Sequence, residues 1–145
     1  MPEKETIERA QEDAREGKSP STQAGEFIRE EIHHVREGKH GARSPQQAIA
    51  IGLSKARRAG VKLKPPKGPA SVREKAEDDV EAGENPHRKK SRTRSRGVLK
   101  ALKRESKSST NRQAISRQAK KSSAKRGKRA RSAAAIKAAR TRKAA

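Results

Sequence analysis

The sequence predicts an all-α fold: a small helical module (an antiparallel helix pair plus flanking helices) with a largely disordered, helix-prone basic C-terminal tail. Three observations predict it. Apolar residues recur at helical spacing between Ser-Pro starts and Gly stops. Leu, Ile, Val and Phe supply only 17 of the 145 residues, and nine of these fall between Phe27 and Leu63. Charge is segregated: residues 1–64 hold 13 Lys/Arg against 10 Asp/Glu, residues 65–84 hold 3 against 6, and residues 85–145 hold 23 against one, Glu105. So little apolar mass at a net charge of +22 cannot offset ordering entropy along the whole chain, which excludes one core spanning all of it.

The first helix is expected over about 3–16, with Ile7, Ala10 and Ala14 on one thin face and Gly17 as its stop. The second covers about 20–37. Ser19 caps it, Pro20 opens it, Ala24, Phe27, Ile28, Ile32 and Val35 form one stripe, and Gly38 ends it. The third covers about 45–59, with Ser44 and Gln47 as a capping box, apolar residues nearly all round, and Gly60 as its stop. Lys64-Pro65-Pro66-Lys67-Gly68-Pro69 is a helix-free linker. A short acidic helix follows over about 70–82, with Val72, Ala76 and Val80 on one face and Gly83 as its stop. Its acids, over 74–84, are placed to fold back on the tail. In the tail, helices are favoured by propensity over 97–107, 111–126 and Ala133–Ala139, but repulsion between neighbouring cations opposes them in free solution. The organisation is therefore an N-terminal amphipathic helix (1–19), a helical core module (20–63), a Pro-rich linker with the acidic helix (64–84) and a Lys/Arg/Ala/Ser-rich tail (85–145).

Gly38-Lys39-His40-Gly41 and the run Ser44-Pro45-Gln46-Gln47-Ala48-Ile49-Ala50-Ile51-Gly52-Leu53-Ser54-Lys55-Ala56 resemble a family of small basic bacterial proteins. Those proteins carry a K-H-G … S-x-x-Q-A-I-A-I-x-L-S-x-A core, a domain of unknown function. The resemblance covers roughly residues 24–63 and implies a bacterial source. It brings no known activity and no binding residues. The tail is similar in composition to linker-histone tails and histone H1-like basic tails.

Several chemistries are missing from the composition. There is no Cys, so there is no disulfide, thiolate metal site or thiol nucleophile. The longest apolar stretch, Ala48–Leu53, is far below the ~20 residues of a membrane span. Met1-Pro2-Glu3-Lys4-Glu5 lacks the apolar region of a signal peptide, so the expected location is cytoplasmic and nucleoid-associated. Gly17-Lys18-Ser19 imitates a phosphate-binding loop, but Glu12 stands where its first Gly belongs. The apolar mass is too small for a substrate pocket. The reading is thus no enzyme, no cofactor and no small-molecule substrate. Glu30-Glu31-Ile32-His33-His34 contains two Glu-x-x-His spacings of the kind found in di-iron bundles, but no second motif or further carboxylate pair accompanies them. His33 and His34 are expected on an exposed face, His40 and His87 in loops, and no metal is expected.

The tail carries the functional signal. Cations release counterions from a nucleic-acid backbone and bind it without reading sequence. The candidate contacts are Arg88, Lys89, Lys90, Arg92, Arg94, Arg96, Lys100, Lys103, Arg104, Arg112, Arg117, Lys120, Lys121, Lys125, Arg126, Lys128, Arg129, Arg131, Lys137, Arg140, Arg142 and Lys143. Phe27 is the one aromatic residue and belongs to the core stripe, so no base-stacking platform exists. The expected function is sequence-independent binding of duplex DNA, histone-like or nucleoid-associated, with duplex DNA favoured over RNA. The alternatives are an RNA- or ribosome-associated basic protein, or an adaptor whose 20–63 core binds a protein partner or a second copy while the tail localises it. A helix-turn-helix use of the core would bring Gln46 and Gln47 to base edges and Lys55, Arg57 and Arg58 to phosphates. The Gly38–Ser44 connection is longer than that motif's usual turn.

Overall fold

The structure, a computed structural model, describes residues 2–85 and 91–144. Among them all regular structure is helical: α1 (Lys4–Arg15), α2 (Pro20–Arg36), α3 (Pro45–Arg58), α4 (Ala70–Glu84), α5 (Arg92–Arg104), a 3-10 turn at Ser108–Thr110, α6 (Arg112–Lys125) and α7 (Gly127–Ala144). Two compact units emerge, Met1–Thr110 and Asn111–Ala145. The compositional boundary at 85 and the end of the first unit at Thr110 therefore do not coincide.

In the first unit the starts and stops follow the local chemistry. Ser19 Oγ accepts from Thr22 N and Ser44 Oγ from Gln47 N, each at 3.3 Å, while Pro20 and Pro45 occupy the first helical position. The capping box of α3 closes one residue early: Gln47 Oε1 accepts from Arg43 N at 2.6 Å, not from Ser44 N. Gly17 and Gly38 sit at φ +71° and +78°, the left-handed geometry that ends α1 and α2.

The core sits where α2 meets α3. One apolar cluster joins Ala10, Ala24, Phe27, Ala56 and Val61, with Ile7, Leu53 and Leu63 packed against it. A second joins Val35, Ala42 and Ala48. Phe27 with Ala56 and Val35 with Ala48 set the two helices antiparallel. Gly52 makes the approach close, since a Cβ there would stand 2.7 Å from Ile28 Cα. Ile28 and Ile32 of the expected stripe are only half-buried, because charged Glu30 and Glu31 occupy the interior between Phe27 and Val35.

The linker returns the chain to pack α4 against α3. Of the expected stripe on α4 only Ala76 is buried, while Val72 and Val80 are exposed. Asp79 takes the inward place. Gly83 does not stop the helix, which runs on to Glu84; it lets α4 pass close to α3, a Cβ there standing 2.8 Å from Arg58 O. The acidic helix is thus docked on α3, with Asp79 turned inward and Glu74, Glu77, Asp78, Glu81 and Glu84 exposed.

The largely disordered tail expected from composition is not what the structure describes: residues 92–104, 112–125 and 127–144 are helical. Ala, Lys, Arg and Gln have high helix propensity, and polar caps set the starts. Ser91 Oγ caps Arg94 N, and Asn111 Oδ1 accepts from Ala114 N at 2.8 Å. The last residues before Thr110 also belong to the core unit. Gly41 N donates to Leu102 O at 2.9 Å, Ala42 N to Ser106 O at 3.0 Å, and Arg36 Nε to Thr110 O at 3.0 Å. No residue but glycine fits at 41, because a Cβ would stand 2.0 Å from Glu105 O.

Candidate functional site

Two arrangements have chemical potential: the cations of residues 91–144 and a buried polar cluster on α2.

On α5, Arg92, Arg96, Lys100 and Arg104 recur every four residues and form one exposed stripe, with Arg94 and Lys103 exposed beside it. Arg96, Leu99, Lys100, Lys103 and Arg104 line a shallow groove along this helix. On α6, Arg117, Lys121 and Lys125 repeat the spacing, with Arg112, Lys120 and Arg126 also exposed. On α7, Lys128, Arg129, Arg131, Lys137, Arg140, Arg142 and Lys143 are all exposed. Among the described residues no ion pair engages any of these cations. Arg88, Lys89, Lys90 and His87 lie outside the described residues. Phe27 is 1% exposed, so it offers no face for a base.

The core residues considered for nucleic-acid contact are mostly spoken for. Gln47 is half-buried and serves the cap of α3. Lys55 faces inward to Glu30 and Glu31, at 2.8 Å each. Arg58 meets Asp79 through Nε at 2.8 Å and Nη2 at 2.6 Å. Each of the two cations is engaged by a buried carboxylate, Lys55 largely covered and Arg58 about half exposed. Gln46 is exposed and Arg57 half-buried.

The buried cluster is built by α2, α3 and the 38–43 connection. Glu30 and Glu31 are 5% and 1% exposed. Glu30 Oε1 accepts from Lys55 Nζ at 2.8 Å and its Oε2 from Glu3 N at 3.0 Å. Burial raises the Glu30 pKa, but Lys55 and the Glu3 N–H outweigh it and hold the carboxyl below its ordinary value. Burial likewise works to discharge Lys55, and the two carboxylates outweigh it and hold its pKa above the ordinary value. Glu31 Oε1 lies 3.2 Å from His40 Nε2 and Oε2 lies 2.8 Å from Lys55 Nζ, yet neither carboxylate oxygen has an aligned hydrogen bond. His40 Nδ1 donates to Gly41 O at 3.0 Å. His34 Nε2 meets Glu3 Oε1 at 2.9 Å, and Lys39 Nζ reaches the same oxygen at 3.2 Å. Those two contacts, His34 first, bring the exposed Glu3 carboxyl down to about 2.

His33 is exposed, as the sequence suggests. His34 and His40 are not: they turn inward, because the Gly38–Ser44 connection folds His40 back beside the second Glu-x-x-His pair. The spacing marked Glu31 and His34. No signal in the sequence joined them to His40, which depends on the path of the loop.

Fold and site together define a small α-helical module with a polar pin in its core and cation-bearing helices after it. Residues 17–68 match the model of a family of unknown function (DUF6496). The match takes in α2, α3, the connection between them and the whole Glu30–Glu31–His34–His40–Lys55 cluster. No curated protein and no solved structure matches the chain. Among the described residues no helix is long and apolar enough to cross a membrane.

Proposed function

We propose that the protein binds duplex DNA without sequence preference, through phosphate neutralisation by the cations of residues 85–145. The observation that carries this reading is the stripe Arg92, Arg96, Lys100 and Arg104 on α5, repeated as Arg117, Lys121 and Lys125 on α6, exposed and, among the described residues, in no ion pair with an acid. At 1.5 Å rise per residue, cations four apart step along one helix face by about 6 Å. Such a ladder suits a regular row of phosphates, and the only acidic side chain of residues 85–145 is Glu105. The buried Phe27 leaves no aromatic platform, which favours a duplex backbone over unstacked single-stranded bases. In this reading the helices beyond Thr110 are only partly held in free solution, since like charges at i, i+4 oppose them, and phosphate completes them. The setting that goes with the function is the nucleoid.

The test is fluorescence anisotropy of labelled duplex DNA and matched structured RNA across a salt series, with the full chain, residues 1–110 and residues 111–145. The expected result is a log–log salt slope of several units, about −0.9 per phosphate contacted, equal for unrelated duplexes. Tighter binding of structured RNA than of duplex would replace this reading with the RNA-associated one. Sequence-selective binding by residues 1–110 would make the helix pair a reader.

A further inference from the structure

We propose that Glu31, His34 and His40 form a binding site for a divalent transition-metal ion, of the zinc class, that pins the 38–43 connection onto α2. Each of the three residues offers one ligand atom, and these atoms all lie within 4.8 Å of one another. A tetrahedral ion with bonds of ~2.0–2.1 Å holds its ligand atoms about 3.4 Å apart. Glu31 Oε1 and His40 Nε2, at 3.2 Å, already stand at that separation.

The second observation is the state of these two atoms. The Gly41 carbonyl can only accept, so the 3.0 Å contact puts a proton on His40 Nδ1. In a neutral ring Nε2 then carries a lone pair aimed at a carboxylate oxygen. Glu31 is 1% exposed and neither of its oxygens has an aligned hydrogen bond. Lys55 comes within 2.8 Å of Oε2, but its aligned bond goes to Glu30. Two acceptors face each other in a buried interior, where the one ammonium of Lys55 is shared between two carboxylates, Glu30 and Glu31. Something positive belongs between them.

The surroundings suit a metal ion. A backbone carbonyl orients His40 from behind, the outer contact typical of a ligating imidazole, and the Glu3 carboxylate takes His34 Nε2 at 2.9 Å, so that His34 would ligate through Nδ1. Two imidazoles and one carboxylate, with no thiolate anywhere in the chain, select borderline ions such as Zn²⁺ over Ca²⁺ or Mg²⁺. The interior charge agrees: Glu30 and Glu31 face the single ammonium of Lys55, and outside them Glu3 faces Lys39. The ion would sit beside the backbone bonds by which Gly41 and Ala42 hold residues 102–106, and its role there is structural.

The rival is a protonated His40 paired with Glu31 and no metal. The full-length protein, stripped with a chelator, is titrated with Zn²⁺ against a chromophoric competitor at neutral pH. Thermal unfolding is followed with and without the ion. The expected result is one equivalent bound at submicromolar Kd and a raised unfolding midpoint. His40→Ala and His34→Ala each weaken binding at least tenfold, while His33→Ala, on the exposed face, leaves it unchanged. Replacement by Co²⁺ in the unaltered protein gives the intense visible absorption of a low-symmetry tetrahedral site, a readout that needs no variant to fold. Stoichiometric binding absent in the unaltered protein, or equal in all three variants, overturns the proposal and leaves the His40–Glu31 ion pair in its place.

Discussion

In residues 1–110 the buried carboxylates each face a base: Glu26 meets Arg9 and Arg29, Glu30 meets Lys55, Glu31 lies against Lys55 and His40, and Asp79 meets Arg58 and Lys75. In residues 111–145 there are 13 Lys/Arg and no carboxylate at all. The same residue types thus do two jobs. In the first unit, charge substitutes for apolar mass that the sequence lacks. Such pairs add little net stability over apolar residues of equal size, but removing one partner leaves a buried charge uncompensated. Glu30 and Glu31 with Lys55 join α2 to α3, Glu26 with Arg9 joins α2 to α1, and Asp79 with Arg58 joins α4 to α3. In the second unit, charge has nothing internal to answer it and is directed outward.

The largest expected effect comes from separating the two. Ending the chain after Thr110 removes 13 of the 23 cations of the basic segment and leaves the contacts of Leu102, Ser106 and Thr110 to the core intact. Duplex affinity is expected to fall by on the order of 10³ at physiological salt, and the salt slope by about half. The unfolding midpoint of the core is expected to stay put. Cutting at Glu84 instead is expected to lower that midpoint, because it bares Gly41, Ala42 and Arg36. Anisotropy and thermal melts of the two truncations check this. Equal midpoints would show that residues 92–110 are not part of the core.

Glycines sharpen the comparison inside the first unit. Gly52→Ala drives a methyl to 2.7 Å from Ile28 Cα and is expected to cost about 1–3 kcal/mol as the helices part. Gly25→Ala lies on the same helix pair with nothing within 4 Å and is expected to stabilise by about 0.5–1 kcal/mol through helix propensity. Chemical denaturation of both variants reads the two signs. A destabilising Gly25→Ala would mean that α2 is crowded on that side.

Asp79 tests whether charge replaces apolar packing. Burial raises its pKa, but Lys75, the Ser54 hydroxyl and Arg58 together outweigh that and hold it below the ordinary 3.8. A depressed folded-state pKa means stability that is fully present above pH 3.8 and is lost as pH falls through the folded value. Asp79→Asn is expected to cost about 1.5 kcal/mol at neutral pH, modest because Arg58 and Lys75 are about half exposed and screened. The gap between variant and parent is expected to close in acid. A gap that does not change between pH 7 and pH 3 would remove the ion pair from the ledger of α4 docking.

Most helix limits in the first unit were legible because they rest on local chemistry: Ser19, Ser44, Gly17, Gly38 and Gly60 act on their own neighbours. The α2–α3 pairing was legible from Phe27, Val35 and the Ala48–Ala56 run. What was not legible depends on chain path. Lys55 looks like a surface cation until α3 is placed against Glu30. Gly83 looks like a helix stop until α4 is laid on Arg58. His40 looks like a loop residue until the connection brings it to Glu31. Each of these is decided by a partner 20 or more residues away or across a turn, and no local pattern encodes it. The candidate nucleic-acid contacts needed no such partner, which is why composition alone named them.

The smallest expected effect separates the units most cleanly. Ser44 and Asn111 perform the same task, each accepting a hydrogen bond from the residue three positions on. Losing either to Ala costs about 1 kcal/mol of helix stability. In α3 that helix carries Ala48, Gly52 and Ala56 against α2, so the loss is shared with the whole core. Ser44→Ala is expected to lower the global unfolding midpoint by a few degrees with no change in helix content at low temperature. In α6 no residue is buried, so nothing else is coupled to its start. Asn111→Ala is expected to leave the midpoint unchanged and to lower far-ultraviolet helicity at all temperatures. Added duplex DNA is expected to restore that helicity, because phosphate relieves the repulsion among Arg117, Lys121 and Lys125 that the missing cap no longer offsets. A common drop in midpoint for both variants would show that α6 folds as one with the core, and the contrast between the two units would fail.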